Sequence, residues 1–208
     1  MSSRIRFATA RNVFETFADL RRVAPPPDDE AAPLDYARRL LGSPRPAHAV
    51  VFLAYLLPRR EAVWWARQCV GAILGPRADD AALRAAEAWV RAPEEENRRA
   101  ALAIGNAGDQ SLATTWLALA AAWSGGSMCA PDVKPMAAPA SACAKAANAA
   151  IVLAACSGDP LAITRWIVAC AEAGIRFADG GEARVIAPRS FDAKTPASRD
   201  APLARSRE

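Results

Sequence analysis

Apolar residues recur along most of this chain at intervals of three and four, the spacing that places them on one side of an α-helix. Val13, Phe14, Phe17 and Leu20 predict a first short helix over residues 9–22, which Pro25, Pro26, Pro27 and the acidic run Asp28, Asp29 and Glu30 close off as a solvated connector. Proline suits the first turn of a helix, where no N–H donor is needed. Pro33 therefore starts a second helix that runs to Leu41 before Gly42, and Pro46 opens a third. Pro58 stops that one and starts the segment PRREAVWWARQCVGAIL, which Gly75 and Pro76 terminate. Asp79 or Asp80 caps the next helix, through Trp89 to Arg91, and Pro93 begins another with Glu94, Glu95 and Glu96 in its first turn. The run SLATTWLALAAAW aligns Leu112, Trp116, Leu119 and Trp123 along one side, as a buried helix would, before WSGGS. A helix over 141–156 follows, and Ser157, Gly158, Asp159 and Pro160 supply a stop, a cap and a restart. The last helix, 161–173, aligns Ile163, Trp166, Ile167 and Cys170 before Gly174.

Segments of this kind, joined mostly by short turns, predict an all-α protein: a single irregular bundle of about nine short helices over residues 1–177. Trp65, Trp89, Trp116 and Trp166 are 24, 27 and 50 residues apart, which raises stacked helical hairpins as an alternative. A solenoid would repeat residue by residue at a fixed period, and only the tryptophans align here, so the bundle is the preferred reading. Residues 128–139 contain three prolines and read as a long surface loop, a kind of segment that often carries function. Beyond Phe177 the chain turns rich in Pro, Ser, Arg and Asp, which predicts a disordered or loosely attached tail over 178–208, with Val185 and Ile186 able to add a short extended contact.

Composition narrows the function classes. With 52% hydrophobic and 23% charged residues in 208, the chain is globular, and heavy use of alanine with only two tyrosines favours helices over strands. The net charge of +4 is spread among acidic neighbours, so there is no basic stripe of the kind that nucleic acid requires. The apolar runs fall short of the roughly 20 residues of a spanning helix, and the start lacks an apolar signal core. A cytoplasmic protein with reduced thiols is expected. Five cysteines without a CxxC pair, and His48 as the single histidine, offer no metal-ligand set, and no cofactor motif is present. Gly125 and Gly126 follow a helix, where carbonyls make the potential negative, so they read as a stop rather than a phosphate loop. Glu94, Glu95 and Glu96 sit at the positive end of a helix dipole, with Arg98 and Arg99 as partners one turn later.

One residue breaks the pattern. In the helix over 58–74, Ala62, Val63, Trp65, Ala66, Cys69, Val70, Ala72, Ile73 and Leu74 gather on one broad side, while Arg60, Glu61, Arg67, Gln68 and Gly71 surround Trp64 on the other. Such a helix has two partners: its own core, and either another helix of the chain or another molecule. Arg60 and Arg67 flank Trp64 at a spacing that lets either guanidinium stack on the indole or either stem cover it. Arg60, Trp64, Arg67 and Gln68 are accordingly the candidate partner-binding residues, and a second copy of the chain is one such partner. No residue set specifies a reaction. The alternative is a small-ligand-binding or enzymatic helical domain that uses His48 as a base or the cluster Arg59, Arg60 and Glu61, since paired guanidiniums can fork onto a carboxylate or phosphate.

The segments LLPRREAVWWARQCV, AAEAWV with the proline and acidic run after it, and WSGGS resemble a poorly characterised family of small bacterial all-helical proteins of unknown function, over roughly residues 4–178. The resemblance implies the helical fold and an association with type VI secretion gene clusters. It supplies no catalytic residues. Together with the second surface implied by Trp64, it leads to the expectation of a non-enzymatic helical protein-interaction module, an accessory or adaptor/chaperone-like protein of that secretion system.

Overall fold

The computed structural model of the chain describes residues 3–75, 80–129 and 133–188. Among them it forms nine α-helices and no sheet. They are α1 (Ala10–Thr16), α2 (Pro33–Leu41), α3 (Ala47–Leu56), α4 (Arg59–Leu74), α5 (Ala81–Arg91), α6 (Glu95–Ala107), α7 (Ala113–Ala122), α8 (Ala142–Cys156) and α9 (Ile163–Ala178).

The caps are largely those the residues dictate. Thr9 and Asn12 form a reciprocal capping box on α1, Asp80 accepts from the Leu83 N–H at 2.7 Å, and Pro33 occupies the first turn of α2. The expected first helix is shorter than its apolar spacing suggested. It breaks at Phe17 and continues as a 3₁₀ turn, Ala18–Arg22. The break lets Phe17 pack edge-on against Tyr55, 5.3 Å between centroids, while Asp19 accepts from Ser141 at 2.7 Å and pairs with Lys145 at 2.5 Å. Tertiary partners outweigh the local period here.

The core has two textures. Around α1, α2 and α3 it is aromatic: Phe52 stacks on Phe14 at 5.9 Å and meets Tyr36 edge-on at 5.0 Å. Around α7 and α8 it is alanine, with Ala118, Ala120, Ala121, Ala146, Ala147 and Ala150 all fully buried. Small side chains let helix axes approach, so α7 packs against α4, α5, α6 and α8 at once. This corrects the expectation for α7. Of the four large residues expected inside, Leu119 is buried with the alanine face, whereas Leu112 is 53% exposed and Trp116 and Trp123 form a half-buried edge-on pair at the rim.

Gly174 does not end α9, which runs on to Ala178. A Cβ there would stand 2.8 Å from the Trp65 indole and 3.0 Å from Leu53, so the glycine permits close packing rather than a stop. Trp65 is fully buried at this crossing and donates its indole N–H to the Cys170 carbonyl at 2.9 Å. Because α9 also packs on α2 and α3, the last helix closes against the first third of the chain. That closure makes a bundle and not a solenoid, in which each unit touches only its sequence neighbours. The ends meet as well. The Arg4 N–H donates to the Ala178 carbonyl at 3.0 Å, and residues 179–188 run back over the domain with Ala183 buried and Val185 packed on the core.

Candidate functional site

Helix α4 owes its position to its apolar side: Ala62, Val63, Trp65, Ala66, Cys69 and Val70 are all buried against α7, α8 and α9. Its other side is only partly covered. Glu61, Trp64, Arg67 and Gln68 are half-buried and Arg60 is exposed.

The two arginines beside Trp64 do not lie on its indole. Arg60 donates from Nε to the Val90 carbonyl at 2.6 Å and from Nη2 to the Arg91 carbonyl at 3.4 Å, satisfying the last turn of α5. Arg67 pairs with Glu87 at 2.9 Å, and Arg91 reaches the same carboxylate at 2.5 Å. Burial opposes ionisation of Glu87, but Arg91 and Arg67 together hold its carboxyl below the ordinary value. Both guanidiniums thus bolt α4 to α5.

Capping of helix ends by arginine recurs through the molecule. Arg98, 3% exposed, donates to the Ala122 carbonyl at the end of α7 at 2.8 Å, and Arg59 donates to the Ser124 carbonyl just beyond it at 2.7 Å. Gly126 sits over the Arg98 guanidinium with φ +60, a conformation and a closeness that a Cβ would forbid. Glu95 holds Arg98 and Arg99 together and has its own carboxyl drawn down to about 2, by Arg98 first, with burial opposing it and Arg99 adding to the pull. Arg99 in turn donates to the Cys129 carbonyl, and Met128 pairs with Met136 at 2.8 Å, so both stems of the proline-rich loop are tied down. Residues 130–132 of that loop lie outside the described residues.

Arg4, on the N-terminal segment, lies near Trp64. It lies over the Phe177 ring at 4.1 Å and donates to the Phe177 and Gly181 carbonyls at 2.5 and 3.0 Å, capping α9. Trp64 separates two adjoining clefts that share Arg4 and Phe177. One, of about 250 Å³, is lined also by Arg60, Glu61 and Arg91, and the other, of about 320 Å³, by Gln68, Glu182 and Arg184. Gln68 is therefore in place beside Trp64. Arg4 and Phe177 escaped the sequence reading because nothing local links either to α4.

His48 sits half-buried in the first turn of α3, and burial, then Arg45, pushes its imidazole below the ordinary value. Arg59 and Arg60 point to the carbonyls of different helix ends, so they do not form one anion fork. Cys69, Cys143 and Cys170 are buried, and burial pushes the Cys143 thiol up to about 12, with Arg59 opposing it. Among the described residues no three His, Cys, Asp or Glu side chains gather as a metal-binding group, and no helix is long and apolar enough to cross a membrane.

The model of a family of unknown function, DUF6931, matches residues 36–178, which run from the second turn of α2 to the last residue of α9. The chain belongs to this family. The matched part holds Trp64, Gln68, Arg91 and Phe177, whereas Arg4 and the strip 179–188, which complete the two clefts, lie outside it. Neither a curated protein nor a solved structure matches the chain.

Proposed function

We propose that this chain is a non-enzymatic helical protein-interaction module, and that it serves a bacterial type VI secretion system as an accessory or adaptor/chaperone-like protein. The observation that carries the first part is Trp64, half-buried between two shallow clefts and rimmed by Arg4, Gln68 and Phe177. Aromatic residues and arginine dominate the energetic centres of protein interfaces, because they offer wide contact area at small cost in side-chain freedom. Shallow open clefts suit a protein surface better than an enclosed substrate. The second part rests on the resemblance carried by LLPRREAVWWARQCV, AAEAWV and WSGGS.

The test is recovery of the full chain from its host with bound partners, repeated for Trp64→Ala and Gln68→Ala. A component or effector of the secretion machine should accompany the native chain and be lost with Trp64→Ala, whose helical circular dichroism stays native. If the same proteins accompany both forms, the Trp64 face is not the interface. If light scattering instead gives a dimer that Trp64→Glu dissociates, the partner is a second copy.

A further inference from the structure

The two clefts beside Trp64 continue into a third, of about 470 Å³, which shares Gly181, Glu182 and Arg184 with the second and is lined also by Arg176 and Ile186. Trp64 and Phe177 stand where the first cleft meets the second. Three adjoining shallow clefts in a row fit an extended segment of chain, whereas a compact ligand would fill only one of them.

Charge says what that segment carries. The first two clefts are lined by four guanidiniums, Arg4, Arg60, Arg91 and Arg184, and by two carboxylates, Glu61 and Glu182, an excess of two positive charges. Arg67 and Glu87 beside them cancel each other. Arg4 and Arg60 spend N–H groups on backbone carbonyls, which are neutral and leave each positive charge in place. Arg184 is exposed and forms no ion pair among the described residues. The positive potential of this face is therefore not discharged within the fold.

We propose that the segment docked along this row is an acidic peptide with one large apolar anchor: the anchor packs between Trp64 and Phe177, and carboxylates on either side of it meet the charge of Arg4, Arg60 and Arg184. The proposal rests on the reading of the Trp64 face as an interaction surface and names the chemistry of its partner. Aromatic residues in the cleft supply the contact area, as at the energetic centres of other interfaces. Because donors of Arg4 and Arg60 are already engaged, the carboxylates are attracted by charge and not gripped by forked hydrogen bonds. Such attraction accepts Asp or Glu at several positions and weakens with salt.

The experiment follows amide and indole N–H shifts of the full-length protein on titration with three capped peptides: Glu-Glu-Phe-Glu-Glu, Gln-Gln-Phe-Gln-Gln and Glu-Glu-Ala-Glu-Glu. The first should saturate at millimolar concentration or below and move Trp64, Gln68 and Phe177, with each of the others at least about fivefold weaker. Its affinity should fall about threefold between roughly 50 and 300 mM salt. Arg184→Gln should weaken it about twofold and Glu182→Gln tighten it by a similar factor, in proteins that melt as the native chain does, because both side chains are exposed. Trp64→Ala, with native helical circular dichroism, should abolish the shifts. Equal binding of the acidic and the glutamine peptide overturns the inference, while the Trp64 face stands as a docking surface for a neutral apolar segment. No saturable shift with the first peptide at about 10 mM also overturns it, and recovery of host partners with Trp64→Ala then decides the wider reading by itself. So does a dimer that Trp64→Glu dissociates, because a second copy then fills the row.

Discussion

The Trp64 clefts and a cleft of about 250 Å³ beside Tyr55, lined also by Asp19, Arg22, Val51, Lys145 and Asn148, are built from similar helical segments, yet they use their polar atoms in contrasting ways. Beside Trp64 the guanidiniums of Arg4, Arg60 and Arg67 are engaged with helix-end carbonyls or with Glu87. That surface is closed chemically and offers a partner mainly shape and aromatic area. Beside Tyr55 the polar groups face one another across side chains: the phenol lies next to Asp19 and Ser141, and Asp19 pairs with Lys145, while Arg22 at the rim has no ion-pair partner among the described residues. The difference teaches that the count of charged residues around a cleft says little about what it binds. What decides is how many of their hydrogen-bonding positions the fold has already filled.

The largest disturbance of the packing behind the Trp64 clefts is Gly174→Ala. Alanine would gain about 1 kcal/mol of helix propensity, but its Cβ would fall 2.8 Å from the Trp65 indole and 3.0 Å from Leu53. Both neighbours are fully buried and have little room to withdraw. Overpacking should outweigh the gain and leave the protein about 2 kcal/mol less stable, read by urea denaturation. Phe177 rides on the same helix, so the Trp64 clefts should change shape as well. Native stability would mean that α4 and α9 slide apart freely and that Trp65 is no fixed point of the fold.

A matched pair of arginines tests the contrast more finely. Arg4→Ala removes two carbonyl hydrogen bonds and a cation–π contact, all in part-buried surroundings, and should cost about 1.5 kcal/mol. Arg22→Ala removes an exposed side chain with no ion-pair partner among the described residues and should stay within about 0.5 kcal/mol of the native chain. Thermal melts of the two variants side by side decide it. Equal losses would show Arg22 to be structural and would erase the distinction between the regions.

The same distinction marks where sequence reading succeeds. Helix class, approximate limits, the Asp80 cap of α5, and the pairing of Glu95 with Arg98 and Arg99 are set by residues within a few positions of one another, so they are legible in the chain. The amphipathic period placed Trp65 inside for the same reason, and it set Trp64 in the middle of the polar side, where the fold leaves it half-buried. Local pattern failed wherever a distant partner decided the outcome. Gly174 looks like a helix stop until Trp65 is seen against it, and Phe17 looks like mid-helix until Tyr55 is. The α7 tryptophans look like core because size is usually buried, but four neighbouring helices demand small residues at their centre. The Tyr55 cleft had no sequence signal, since its members are scattered over 3₁₀ turn, α3 and α8 and none is chemically unusual alone.

Acid offers the smallest and most selective test, because each region holds one carboxylate below its ordinary value. Burial opposes ionisation of both Glu87 and Asp19, but Arg91 and Arg67 overcome it at the first, and Lys145 and Ser141 at the second. A carboxyl whose folded value is lowered adds stability above its unfolded value and loses that contribution as pH falls below it. The loss should therefore begin near pH 4.5 for Glu87 and near pH 3.8 for Asp19. Each is partly exposed and screened by solvent, so the contribution is about 1 kcal/mol or less. In denaturation series across this range, Glu87→Gln should flatten the part of the stability curve that starts near 4.5, while Asp19→Asn should flatten only the part that starts near 3.8. Glu95, drawn to about 2 by Arg98 and Arg99, leaves a slope of its own in both variants. If Asp19→Asn flattens the curve from the higher pH as well, the two regions are coupled through the core. The Tyr55 cleft would then not be independent of the Trp64 face.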